Sequence, residues 1–127
     1  MLTKEDYVTL EVAKKLKEKG FDEPCLKMID VENGFSSYCD YDNICLENTL
    51  LKNGFISYPT LYEVEKWLRT TYNIFIHIEF EVDFYCFYIT YIDEDGELAE
   101  KYYNTINSKS YEEAVNKAII EALEFIY

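Results

Sequence analysis

One histidine, His77, and four cysteines are all the soft metal-binding and thiol chemistry this chain offers. Cys25, Cys39, Cys45 and Cys86 stand 14, 6 and 41 positions apart. No CxxC pair exists, and only His77 is there to complete a zinc set, so free thiols and no metal are the expectation. Basic residues are scarce as well, 12 Lys and Arg against 25 Asp and Glu, for a net charge of −13. Such a surface repels phosphate backbones and anionic membranes, which argues against direct nucleic-acid or membrane binding. It attracts basic partners over a Debye length of about 10 Å. No stretch approaches the roughly 18 apolar residues of a membrane span. The opening Met1-Leu2-Thr3-Lys4-Glu5-Asp6 is charged at once and lacks the apolar core of a signal peptide, so a cytoplasmic protein is expected. In that reducing setting the thiols stay unpaired. No catalytic or cofactor motif assembles anywhere, and the chain is read as a non-enzyme without a cofactor.

What is present is order-promoting. Apolar residues make up 49% and aromatics 17% of the 127 residues, too much for a disordered acidic tail. The length suits a single globular domain over 1–127 with one core. Thirteen tyrosines dominate the aromatics, and their polar-tipped rings suit half-buried sheet faces and interfaces. The charge is uneven: residues 1–20 carry five lysines against four acids, leaving 21 acids and 7 bases for the rest.

Thr3 as cap, Asp6 in the first turn, a stripe of Val8, Val12, Ala13 and Leu16, and a stop at Gly20 predict a helix over 4–19. Residues 25–31 read as a short strand, and Asn33-Gly34 as a hairpin turn that pairs 35–38 back onto it. From 36 to 58 no period of 2 or 3.6 holds, which leaves two readings, a mobile or partner-dependent segment and an ordered crossover joining the first hairpin to the Thr60 helix. Thr60 with Glu63 forms a capping box for a helix ending near Tyr72-Asn73, with Leu61, Val64, Trp67 and Leu68 on one side. Strict alternation over 74–82 predicts a half-buried strand; 84–92 and 97–104 follow as two more, joined by the acidic turn at 93–97. Ser110 caps a last helix whose apolar stripe is Tyr111, Ala114, Val115, Ala118, Ile119, Ala122, Leu123 and Ile126. The fold class is α+β: a three-stranded antiparallel meander and an N-terminal hairpin, with three helices packed mainly on one face.

The run Pro59-Thr60-Leu61-Tyr62-Glu63-Val64-Glu65-Lys66-Trp67-Leu68-Arg69, with the opening Lys4-Glu5-Asp6-Tyr7, Gly20-Phe21-Asp22-Glu23-Pro24 and the closing Ser110-Tyr111-Glu112-Glu113-Ala114, resembles a family. Its members are short uncharacterised acidic proteins of Bacteroides-type gut bacteria and their phages and mobile elements. The resemblance runs in order through nearly the whole chain outside 25–57. It implies a cytosolic setting tied to a phage or integrated element, and brings no catalytic residue or ligand with it.

Three constellations carry what chemistry the sequence suggests. Asp93, Glu94 and Asp95 precede Gly96, but an EF-hand register would put Tyr91 and Tyr102 where carboxylates are needed, so the reading is a solvated acidic turn. Asp40-Tyr41-Asp42-Asn43 fails the same test at Ile44 and Cys45. Glu79, Glu81 and Asp83 are expected to project from one strand face about 6.6 Å apart. That spacing could imitate a phosphate backbone if the row adjoined the 93–97 turn. A hydrolase of acids and His77 would require those groups to converge in a pocket.

The leading expectation is a non-enzymatic protein-binding accessory protein whose contact surface includes Tyr38, Asp40, Tyr41, Asp42, Glu79, Glu81, Asp83, Asp93, Glu94 and Asp95. Its partner would be another protein with a basic surface. The alternative is an acidic nucleic-acid mimic that inhibits a host defence or transcription protein.

Overall fold

The structure, a computed structural model, describes residues 1–39 and 45–126, with the backbone alone for 104–107. The chain forms an α+β fold whose residues gather into two compact units, Met1–Thr60 and Leu61–Tyr127.

In the first unit the helix starts later than the Thr3 signal predicts. Lys4–Asp6 is a single 3-10 turn in which the Asp6 carboxylate accepts from the Thr3 N–H at 2.7 Å. Tyr7 is extended, and α1 runs Leu10–Glu18 with the Thr9 hydroxyl accepting from the Val12 N–H at 3.3 Å. The cause is tertiary: Val8 donates its N–H to Pro59 O at 3.1 Å, Tyr7 bridges Thr60, and the Tyr7 ring stacks on Tyr58 with centroids 4.8 Å apart. Those bonds hold Tyr7 and Val8 out of the helix, and Thr9 becomes the cap. The stripe itself holds, with Val12, Ala13 and Leu16 buried. The stop holds too, as Gly20 takes φ +85° and the Phe21 N–H returns to Leu16 O at 2.9 Å.

β1 (Lys27–Asp30) pairs antiparallel with β2 (Ser36–Tyr38) as expected, through a connection over 31–35 that contains Asn33-Gly34 and is longer than a two-residue turn. Gly34 sits at φ +74° and donates to Asp30 O, while the Asp30 carboxylate accepts from Glu32 N–H and Asn33 N–H. On the other side β1 pairs with β3 (Phe55–Ser57), giving the order β2-β1-β3. β3 gives 55–57 regular structure where the sequence shows no period, as the ordered-crossover reading requires of that part. Between β2 and β3, Asn48–Leu50 forms a 3-10 turn and Leu46 bridges Cys25. Ile56, Ser57 and Tyr58 are buried. Asn48 ties the segment down: its side chain donates to Phe21 O at 2.8 Å and accepts from the Ser57 N–H at 2.7 Å. Asp40, Tyr41 and Asp42 lie outside the described residues.

In the second unit α2 (Leu61–Tyr72) buries Leu61, Val64, Trp67 and Leu68, as its spacing requires. It ends at Asn73, in the left-handed region at φ 56°. The meander then forms in the expected order, β4 (Phe75–Glu81), β5 (Phe84–Ile92) and β6 (Leu98–Ser108). α3 (Tyr111–Leu123) starts at Ser110, whose hydroxyl accepts from the Glu113 N–H at 3.1 Å. The Glu113 carboxylate turns back to Lys109 N–H and pairs with Lys117 at 3.0 Å, and these bonds hold it below the usual carboxylate range. Ala114, Val115, Ala118, Ile119, Ala122 and Leu123 are buried, and only Tyr111 of the stripe turns out, at 47% exposure. Both helices of this unit pack on the sheet face that carries the buried Phe87 and Ile89.

The β4–β5 connection corrects the expectation for Asp83. β4 ends at Glu81, and Val82-Asp83 is a two-residue turn in which the Asp83 N–H bonds Glu81 O, so Asp83 does not extend the strand row. Val82 adopts φ 54° there, a conformation that costs a side-chain-bearing residue roughly 1–2 kcal/mol and suits glycine or asparagine. Val82→Gly is therefore expected to raise stability by about 1 kcal/mol, read as a higher melting temperature; a lower one would show that the exposed valine contributes packing that outweighs the strain.

Candidate functional site

The alternation in β4 places Phe75, His77, Glu79 and Glu81 on the face turned away from the helices. Antiparallel register sets them opposite Thr90, Tyr88, Cys86 and Phe84 of β5. β6 continues the same face with Leu98, Glu100 and Tyr102 opposite Ile92, Thr90 and Tyr88.

A row of three rings crosses the strands. His77 lies over Tyr88 with centroids 4.3 Å apart and planes 8° from parallel; Tyr88 lies over Tyr102 at 4.8 Å and 22°. His77 Nε2 is fixed at 3.0 Å from the Thr90 hydroxyl. Tyr102 is 55% exposed and donates its hydroxyl to the Glu100 carboxylate at 3.0 Å. That bond to a carboxylate, with some burial and nearby negative charge, pushes the Tyr102 hydroxyl above its ordinary value. Glu79 and Glu81 on one side and Glu100 on the other border the row with exposed carboxylates.

Beneath Glu79 and Glu81 lies Cys86, only 7% exposed. Burial first, then the charges of Glu81 and Glu79, push its thiol up. Among the described residues these three form the one group of metal-ligating side chains, their ligand atoms all within 4.8 Å of one another. His77 is not part of it. Among the described residues His77 does not gather with two further acid or thiol groups, and its imidazole lies against Thr90 and Tyr88.

The other sequence candidates are dispersed. Asp93, Glu94 and Asp95 form the β5–β6 turn, closed on itself by the Asp93 carboxylate, which accepts from Asp95 N–H at 3.0 Å and Glu97 N–H at 2.9 Å. This turn and the Glu81–Asp83 end lie at opposite ends of β5, whose eight residue steps span about 26 Å. The two acidic groups therefore do not adjoin, and rings stand between them. In the first unit Tyr38 ends β2 with its ring 5.2 Å from Lys27 Nζ, which also lies 4.9 Å from the Tyr7 ring. A cleft of about 880 Å³ opens beside it, lined among others by Lys27, Tyr38, Cys39, Leu46, Lys52 and Phe55.

The sequence singles out Cys86 only as a thiol read as unpaired and metal-free, and does not mark Tyr88, Glu100 and Tyr102 as members of a site. Each sits in a strand that was recognised. What was lacking was the register, which needs the centre of the β4–β5 turn, and Val82-Asp83 carries no turn signature.

No protein-family model, curated protein or solved structure matches this chain. Among the described residues no helix is long and apolar enough to cross a membrane.

Proposed function

We propose that this chain is a small non-enzymatic binding protein that presents the ring row of the β4-β5-β6 sheet, with its acidic border, to a partner protein bearing arginine or lysine. The observation that carries the reading is the stacked His77–Tyr88–Tyr102 row flanked by Glu79 and Glu100 on the sheet face opposite the helices. A guanidinium over a tyrosine face gains about 0.5–2 kcal/mol, and a neighbouring carboxylate can accept two of its N–H groups at once. The net charge of −13 adds attraction at long range, which speeds encounter with a basic surface. The phage or mobile-element resemblance is consistent with an accessory role of this kind. A nucleic-acid mimic asks for carboxylates continuous from Glu79 to Asp95, and the separation of the two acidic groups favours the peptide-binding reading.

An arginine-rich peptide titrated into isotope-labelled protein tests this. Amide shifts are expected to concentrate at Tyr88, Glu100 and Tyr102, with affinity falling several-fold between about 50 and about 500 mM salt. Glu100→Lys should weaken binding by about tenfold, since it replaces attraction by repulsion. Shifts spread evenly over all acidic residues, or a Glu100→Lys affinity equal to the parent's, would reject the assignment of this face.

A further inference from the structure

The β4–β5 hairpin places two carboxylates over a thiol, and we propose that Glu79, Glu81 and Cys86 form a binding site for a divalent metal ion of the zinc type. Glu79 and Glu81 are two residues apart on one strand face, and Cys86 is the direct cross-strand partner of Glu79. One short hairpin thus supplies all three ligands from paired strands, which hold position better than loops. Their ligand atoms lie within 4.8 Å of one another. Ligands around tetrahedral zinc at about 2.0–2.3 Å from the metal are about 3.5 Å apart. Closing the difference takes small rotations of two exposed glutamate side chains, and neither is held in an ion pair among the described residues.

The acids alone would be an ordinary solvated surface. What points to a ligand is the thiol beneath them: Cys86 is 93% buried by its 7% exposure, and its Sγ faces the two carboxylates. No hydrogen bond engages it among the described residues. A buried thiol used only as a small apolar filler gains nothing from carboxylates at this distance. A cation between them satisfies all three groups. Sulfur in the set disfavours magnesium and calcium, which take oxygen ligands, and favours zinc or a chemically similar ion. On binding, the Cys86 proton passes to solvent and the sulfur coordinates as thiolate, while water takes the position left open by the exposed side of the hairpin.

Cobalt(II) is the probe, because thiolate coordination gives a sulfur-to-cobalt charge-transfer band that oxygen ligation does not. The full chain, reduced and stripped with chelator, should bind one equivalent of cobalt with that band, and zinc should displace it. Cys86→Ser should abolish the band while Cys25, Cys39 and Cys45 remain in place. Glu79→Gln and Glu81→Gln should each weaken binding by about tenfold or more, at least the effect of losing an outer-shell partner. Circular dichroism of the three variants establishes that they are folded. A band that survives in Cys86→Ser, or cobalt bound without one, would overturn the assignment. So would an affinity unchanged in both glutamine variants. These readouts involve no peptide, so the site stands or falls separately from the binding face.

Discussion

Ala118→Glu is expected to abolish the cooperative unfolding transition of the Leu61–Tyr127 unit. Ala118 is wholly inaccessible at the centre of α3, with Ala114 and Ala122 equally buried a turn to either side. Methyl side chains at these three positions allow the α3 backbone to lie close to the sheet. The space is then too small for a longer side chain without moving the helix away from the strands it covers. A glutamate there must either take a carboxylate into apolar surroundings without a partner or push the helix off. Single substitutions that bury an unpaired charge cost more than about 4 kcal/mol, against a total stability of roughly 5–15 kcal/mol for a typical domain. Thermal denaturation followed by circular dichroism checks this, with Lys117→Glu as a control that places the same glutamate side chain at the neighbouring position of the helix. Lys117 is half-exposed, and its replacement removes the pair with Glu113 and sets two carboxylates four residues apart, effects of about 0.5 kcal/mol each at a helix surface. A melting temperature for Ala118→Glu close to that of the control would mean that the alanine stripe is not a packing surface.

The elements that could be read from the sequence are those whose signals are local. α3 was legible because Ser110 caps it and its stripe runs for four turns, and α2 because its apolar face repeats at helical spacing up to Asn73. β4 was legible because alternation persists over its full length. The misreadings have a shared cause. Thr3 and Thr9 are both competent caps, and the choice between them is made by Val8 bonding Pro59 and Tyr7 bridging Thr60, contacts that no local pattern encodes. β3 is three residues long, less than two full alternations, so it carries no measurable period; its place in the sheet is set by pairing with β1. The site follows the same rule. Glu79 and Glu81 could be picked out as carboxylates on one face of a predicted strand. That they lie over Cys86, beside the Tyr88–Tyr102 stack, depends on a register fixed by a turn whose valine sits in a backbone region that β-branched residues avoid.

Asn48→Ala is expected to be strongly destabilising for the Met1–Thr60 unit. The amide of Asn48 bonds a carbonyl three residues past α1 and an N–H in β3, Phe21 O at 2.8 Å and the Ser57 N–H at 2.7 Å. Both the asparagine and Ser57 are buried, so water cannot replace the lost bonds freely. Losing a buried hydrogen bond to each of these backbone groups costs about 1–3 kcal/mol, which places the loss at roughly 2–6 kcal/mol. Asn48→Asp separates the two halves of that interaction. Its carboxylate can still accept from Ser57 N–H but has no proton for Phe21 O, and it sets a negative charge against that carbonyl. Both variants should therefore be destabilised in urea unfolding, while hydrogen exchange distinguishes them: the Ser57 amide loses protection in Asn48→Ala and keeps part of it in Asn48→Asp. An unchanged Ser57 exchange rate in Asn48→Ala would show that β3 is held by its pairing with β1 alone. The crossover from the 3-10 turn at Asn48–Leu50 into β3 would then depend on the sheet rather than on the asparagine.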